Sequence, residues 1–145
     1  PKFSYIGQGS YVYGQDETND VPLILMLPPN FRNTLQFNSG NDRNFYVQVN
    51  NSTFLKQSRF PKYDISVQLF DNQGEAYDQP VDISTPPNGY TLWNAKAGIN
   101  LTKKLSTIFS VDNIFNTKYR DYLNRLRYYS DEMGSNFILT FNYKF

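Results

Sequence analysis

Apolar and polar residues alternate along much of this chain. Six segments show the pattern: 2–13, 31–38, 44–57, 90–101, 105–113 and 136–145. A period of two in runs rich in β-branched and aromatic residues, bounded by Gly, Pro, Asn and Asp, predicts strands. Odd positions carry Phe3, Tyr5, Tyr11 and Tyr13, then Phe31, Leu35 and Phe37, then Phe45, Val47, Val49 and Leu55. They continue with Trp93, Ala95, Ala97, Ile99 and Leu101, then Leu105, Phe109 and Val111, then Phe137, Leu139, Phe141, Tyr143 and Phe145. The strand charges Lys2, Arg32, Lys56, Lys96, Asp112 and Lys144 are all even. An Arg or Lys facing lipid at mid-bilayer costs about 2–4 kcal/mol, a penalty that keeps charge on one face.

A soluble sandwich also alternates apolar-in and polar-out. Two details favour lipid. The even face is mostly Ser, Asn, Gln and Thr, which suits a polar lumen better than a solvent face of Lys and Glu. Aromatics also gather at strand ends (Tyr11, Tyr13, Phe31, Phe45, Tyr90, Phe137, Tyr143, Phe145), as in the girdles of transmembrane barrels. Ten residues at about 3.3 Å each, tilted by roughly 45°, rise about 23 Å. The lipid-facing band of such barrels is about 25 Å tall.

The connections alternate in length. Segments 14–30, 58–89 and 114–135 are long, and 39–43 and 102–104 are short. A meander with tight turns at one end and large loops at the other predicts an antiparallel transmembrane β-barrel; a soluble antiparallel sandwich with decorated loops is the alternative. Six strands do not close a barrel, because single-chain barrels start at about eight. In lipid each unpaired edge N–H or C=O costs several kcal/mol, so the first and last strands are expected to pair with strands outside this sequence. The expectation is a segment of a larger barrel or one partner of a split one.

Composition narrows the function. The chain has 145 residues, 17% aromatic and 19% charged, with net charge +1 and neither His nor Cys. A broad nucleic-acid footprint is not expected at that charge. Disulfides and thiolate chemistry are excluded, and the commonest general base is missing. A metal site would have to use oxygen ligands. The most apolar run, "VPLILMLPP" at 21–29, is too short and too Pro-bounded for a spanning helix. There is no Gly-rich phosphate loop and no nucleophile elbow, so neither an enzyme nor a cofactor is expected.

Four stretches carry a family resemblance. "PLILMLPPNFRNTLQF" (22–37), "NGYTLWNAKAGINL" (88–101), "VDNIFNTKYRDYLNRLR" (111–127) and the closing strand with its terminal Phe145 stand in order and at spacing. Together they resemble the C-terminal end of TonB-dependent outer-membrane receptors. The resemblance implies that these are the last six strands of a barrel of about 22, a size at which the lumen is plugged. It implies partners: the rest of the barrel, an N-terminal plug whose TonB box couples to the TonB complex, the barrel-assembly machinery, and outer-membrane lipid and lipopolysaccharide. It implies uptake of a scarce nutrient, a siderophore or other metal chelate. Neither plug nor TonB box lies within the sequence. Phe145 is expected to act as an assembly signal. A passive porin-like or structural barrel segment and a soluble β-sandwich binding module remain as alternatives.

The third long connection is the expected ligand-binding region, with Tyr119, Arg120, Tyr122, Arg125, Arg127, Tyr128 and Tyr129. Arg gives bidentate contacts to carboxylates and Tyr gives flat amphipathic area, a set able to hold an anionic chelate. Packing within the loop, or facing lipopolysaccharide phosphates, is the competing role. Trp93, Phe109, Phe137, Leu139, Phe141 and Tyr143 are expected to face lipid. The loop acids, Asp16, Glu17 and Asp20, then Asp71, Glu75, Asp78 and Asp82, lack EF-hand spacing and read as solvated charge. The 22–29 run is expected to fold back on neighbouring loops, stiffened by Pro22, Pro28 and Pro29. The sequons at Asn50, Asn51 and Asn100 fall in strands.

Overall fold

Ten strands and one turn of 3-10 helix make up the computed structural model, which describes residues 2–40, 44–62, 64–82 and 85–145. Six strands form one antiparallel sheet: β1 (Phe3–Ser10), β4 (Asn30–Asn38), β5 (Phe45–Phe54), β8 (Tyr90–Asn100), β9 (Leu105–Asp112) and β10 (Asn136–Tyr143). Their spatial order is β1-β4-β5-β8-β9-β10, so each strand of this sheet pairs with the next in sequence. The sheet is open, with β1 and β10 at its edges. Two hairpins stand apart from it: β2 (Gln15–Asp16) with β3 (Val21–Pro22), and β6 (Asp64–Phe70) with β7 (Ala76–Asp82). The 3-10 turn η1 spans Arg125–Tyr128. No helix among the described residues is long and apolar enough to cross a membrane.

Register explains why parity along the chain carries across the sheet. Phe3 pairs with Phe37, Phe37 with Val47, Val47 with Ala97, Ala97 with Phe109, and Phe109 with Leu139. Odd residues meet odd residues at every step, so one face collects them all. Because side chains alternate with a period of two, a one-residue slip between any two strands would send half of the sheet to the wrong face. The face so formed is bare: Phe3, Tyr5, Leu35, Val47, Phe109, Phe137, Leu139 and Phe141 are all exposed, Phe137 at 68%.

The even face is different. In β5 the even side chains Tyr46, Gln48 and Asn50 are half-buried, whereas on the odd face Phe45 and Val47 are open and Val49, Asn51 and Thr53 are half-buried. Amides on this face satisfy one another: the Gln48 Nε2 and Thr34 Oγ1 groups both donate to Asn50 Oδ1, at 2.9 and 2.8 Å, and Gln36 Nε2 donates to Asn38 Oδ1 at 2.9 Å. Tyr46 lies flat across Gly98, its direct partner, where any larger residue would collide with the ring.

Three findings depart from the sequence reading. First, every strand of the main sheet but β4 is shorter than the alternation suggests: β1 stops at Ser10, leaving Tyr11 and Tyr13 in the loop that follows. Second, the odd face is not uniformly apolar. Tyr5 donates from its hydroxyl to Asn33 Oδ1 at 2.8 Å, and Asn33 Nδ2 donates to Asn51 Oδ1 at 3.5 Å. Thr53 and Thr91 share a hydrogen bond at 3.1 Å on the same face. This polar ladder sits near the long-loop end. Third, the 58–89 connection contains the β6–β7 hairpin. Its signal was legible: Val67 and Leu69 alternate into "DNQG", and Gly74 takes the left-handed φ of 82° that closes the turn. Pro80 opposite Ser66 cannot donate to a ladder, consistent with a hairpin outside the main sheet.

The short turns close the opposite end. Thr102 Oγ1 accepts from the amides of Lys104 and Leu105 at 3.2 and 3.0 Å, fixing the 102–104 turn. The 39–43 turn lies partly outside the described residues; within them, Ser39 Oγ accepts from Phe45 N at 3.1 Å.

Candidate functional site

All three long connections leave the same end of the sheet, so their residues converge although they lie far apart in sequence. Two bridges join the first connection to the second. Arg59 donates from Nη2 to Gln15 Oε1 at 2.7 Å and stacks its guanidinium 3.8 Å from the Tyr13 ring centre. Gln57, buried, donates from Nε2 to the Met26 carbonyl at 3.1 Å. The 22–29 run therefore does fold back. Met26 is buried, whereas Leu23 and Ile24 stay exposed.

Residues 113–135 are organised by asparagine. Asn113 and Asn116 both adopt positive φ, 49° and 51°, a region that Asn tolerates and most residues do not. The Asn113 side chain accepts from Thr117 N at 2.8 Å and donates to the Thr117 carbonyl at 2.9 Å and the Met133 carbonyl at 3.4 Å. Its backbone amide donates to Asn94 Oδ1 at 2.8 Å, and its carbonyl accepts from Ser135 Oγ at 2.7 Å. One buried residue thus ties both ends of the loop to β8. The sequence motif around 113–116 contributed to a resemblance; its physical role is this hub, which spacing alone did not reveal.

The structure divides the seven expected ligand residues into groups. Tyr122 and Arg127 turn inward, at 2% and 3% exposure. Arg127 Nη1 donates to the Tyr122 carbonyl at 2.7 Å, Nη2 donates to the Tyr128 hydroxyl at 2.6 Å, and the guanidinium lies against both tyrosine rings. These three side chains pack the loop. Tyr119 packs on Tyr90 with ring centres 4.4 Å apart and planes tilted by 36°, and Tyr90 stacks on Phe54 at 4.9 Å. The Tyr90 hydroxyl donates to Asp121 Oδ2 at 3.1 Å, which pins the loop to the start of β8. Arg120 makes an exposed salt bridge from Nε to Asp131 at 2.7 Å. Arg125 and Tyr129 remain presented outward, Tyr129 at 85% exposure.

Burial is the main reason that the Tyr119 and Tyr122 phenols are held above the ordinary tyrosine value. The nearby carboxylates of Glu132 and Asp121 add to this at Tyr119. At Tyr122 the Leu25 amide and Arg127 oppose it. The Leu25 amide is near enough to bias that phenol, but among the described residues the Tyr122 oxygen has no partner in hydrogen-bonding geometry. We therefore read the contact as close packing of the first loop on the third.

Charge differs among the loops. Residues 11–29 hold three acids and no Lys or Arg, 55–89 five acids and three bases, and 113–135 three acids and four bases. Several acids are engaged in turns. Asp16 accepts from Thr18 N, Asn19 N and Asn19 Nδ2, bonds that hold its carboxyl below the ordinary range. Asp71 Oδ1 accepts from the amides of Gln73 and Glu75. No group of metal-ligating residues is assembled among the described residues.

The remaining expected positions lie on or beside the sheet. Trp93, Phe109, Phe137, Leu139, Phe141 and Tyr143 stand on the odd face, exposed. Trp93 meets Phe115 of the third loop edge-on at 6.4 Å, and Phe145 meets Tyr143 edge-on at 5.3 Å.

No protein-family profile and no curated protein sequence matches the chain. Among solved structures, the fold is similar to that of the copper transporter OprC, with TM-score 0.77 and 15% sequence identity. The match covers 99% of this chain and 21% of that one, so the chain spans about a fifth of the protein it resembles. At this identity the likeness establishes the fold: an antiparallel all-β arc that superposes on part of a transporter.

Proposed function

We propose that this chain is the C-terminal six-stranded segment of an outer-membrane receptor barrel of about 22 strands that imports a scarce metal-bearing nutrient with energy delivered through TonB. The observation that carries the reading is the sheet itself. It places an uninterrupted uncharged face opposite a polar face of paired amides, and almost its whole length superposes on part of a copper transporter. The four resembling sequence stretches support the receptor family. The odd face contacts outer-membrane lipid, and lipopolysaccharide surrounds the long-loop end. β1 and β10 pair with strands from the rest of the barrel, and a plug from the same receptor supplies the TonB contact. A metal complex is the cargo class, with Arg125 and Tyr129 as the parts of the third loop presented to it.

The test is uptake by the whole receptor in cells. Accumulation of a labelled metal chelate should stop when the proton gradient is collapsed. Accumulation that continues unchanged points to a passive porin. A chain that remains soluble and monodisperse without detergent points to a β-sandwich, and either result overturns the reading.

A further inference from the structure

The polar ladder on the odd face occupies the two odd rows of the sheet nearest the long loops. Phe31, Thr53 and Thr91 stand in register in the first, beside Gly9. Asn33, Asn51 and Trp93 stand in the second, beside Gly7. The next row toward the short turns is apolar: Leu35, Val49 and Ala95. The two glycines leave β1 bare here, and neighbouring rings lie over it. The Tyr5 hydroxyl sits 2.9 Å from where a Gly7 Cβ would stand, and the Phe31 ring 3.6 Å from one at Gly9. Tyr5, Phe31 and Trp93 are exposed, and they surround four half-buried polar side chains. No odd position of these strands is charged.

Donation within the ladder runs toward its carboxamide oxygens. The Tyr5 hydroxyl donates to Asn33 Oδ1, and Asn33 Nδ2 and Thr53 Oγ1 both donate to Asn51 Oδ1. Both oxygens are thus engaged, while among the described residues the two N–H groups of Asn51 and the second of Asn33 donate to nothing. Unpaired donors are costly on a face that meets lipid, so they call for an acceptor. A phosphate is held by a cation, and this face has none. Sugar hydroxyls and an amide carbonyl are neutral acceptors, and aromatic rings at headgroup depth give a sugar a flat apolar wall. We propose that this patch binds the sugar and amide-linked acyl portion of an outer-leaflet glycolipid. Asn33 and Asn51 donate to it, Tyr5, Phe31 and Trp93 flank the sugar, and the acyl chains descend over Leu35, Val49 and Ala95. The apolar row directly below the polar ones is what favours a lipid-linked sugar over a free one. The inference rests on the outer-membrane reading and deepens it: the recognised group is the sugar amide, and it is independent of phosphate and of the cargo.

Native mass spectrometry of the whole receptor in detergent tests it, with lipids added singly. The probes are a phosphorylated diglucosamine lipid with amide-linked acyl chains, the same lipid stripped of its phosphates, phosphatidylethanolamine, and free N-acetylglucosamine. Both diglucosamine lipids are expected to bind wild-type receptor with affinities within about twofold of each other, and at least fivefold more tightly than phosphatidylethanolamine. Asn51→Leu should weaken both at least fivefold, whereas Leu139→Val, on the same face but away from the ladder, should not. Binding lost with the phosphates, or equal binding of phosphatidylethanolamine, would overturn the proposal. So would displacement by the free sugar at the concentration of the lipid, which would mean a soluble-glycan site. A dimer mass that disappears in Asn51→Leu would assign the ladder to contact between copies and overturn it as well. The comparison among lipids uses wild-type receptor, so the test holds even if a variant fails to fold. A membrane-inserted receptor that shows no preference among these lipids removes this inference alone and leaves the transport reading standing.

Discussion

The six-stranded sheet and the third long loop sit side by side and are held by opposite means. The sheet is a repetitive backbone ladder whose side chains need only to fall on the correct face. The loop has little repeating backbone structure and depends on a few side chains that each bond several main-chain groups, Asn113 and Arg127 above all. Error tolerance therefore differs. The sheet should accept most changes that respect the face rule and fail on those that break it. The loop should be indifferent to many surface changes and fail at its hubs.

The largest expected effect breaks the face rule. Phe109 pairs with Ala97 and Leu139 on the odd face. Phe109→Lys in the whole receptor should cost about 2–4 kcal/mol, read as a lower urea midpoint of the membrane-inserted barrel. Thr140→Lys, on the even face, should change that midpoint little. Equal losses would mean that the odd face does not meet lipid.

Next comes the loop hub. Asn113→Ala removes the side-chain bonds and leaves a Cβ residue at positive φ, with an expected local cost of about 1–3 kcal/mol. Proteolytic cleavage within 114–135 should accelerate while the urea midpoint of the sheet holds. Asn113→Gly, which loses the bonds but tolerates the backbone, should fall between the two. If Ala and Gly behave alike, the positive φ is not part of the hub's role.

A pH titration separates loop from sheet without mutation. The Tyr119 and Tyr122 phenols keep their protons beyond the 10.0 of a free tyrosine. The closed loop then holds protons that the open loop has released, so loop stability is undiminished below about pH 10 and falls as pH rises beyond it. Hydrogen exchange of the 117–133 amides should accelerate above that pH ahead of exchange in β5 and β8; simultaneous acceleration would contradict a separable loop. The smallest effect is expected from Arg120→Ala. Its salt bridge to Asp131 is exposed, and such pairs contribute about 0–1 kcal/mol. Protease resistance of the loop should barely change, and any change should vanish in high salt.

Sheet and loop were unequally legible in the sequence. Strand order followed from alternation and connection length, because both are local. The β6–β7 hairpin is marked by Val67, Leu69 and the left-handed Gly74, but it pairs only with itself, so the alternation of connection lengths that orders the main sheet carries no trace of it. Among the loop residues, composition identified a dense Arg and Tyr region but could not rank it. Arg125 and Arg127 are two positions apart on one 3-10 turn, and one is exposed while the other is buried under two tyrosines. The polar ladder of Asn33, Asn51, Thr53 and Thr91 was hidden for a related reason. Parity excludes ions from the odd face but not neutral polar groups, which become tolerable there once neighbours on other strands satisfy them.

What the sequence determined by itself is the two-faced character of each strand. Parity is a property of a single extended chain, and it survives assembly because every pair in the sheet joins odd to odd. What only the tertiary structure decided is which side chains finish as scaffold and which as surface. The Tyr90 hydroxyl finds Asp121 31 residues away, and Arg59 finds Gln15 44 residues away. Such partnerships depend on how the strands bring loops to one end, and no local pattern encodes that.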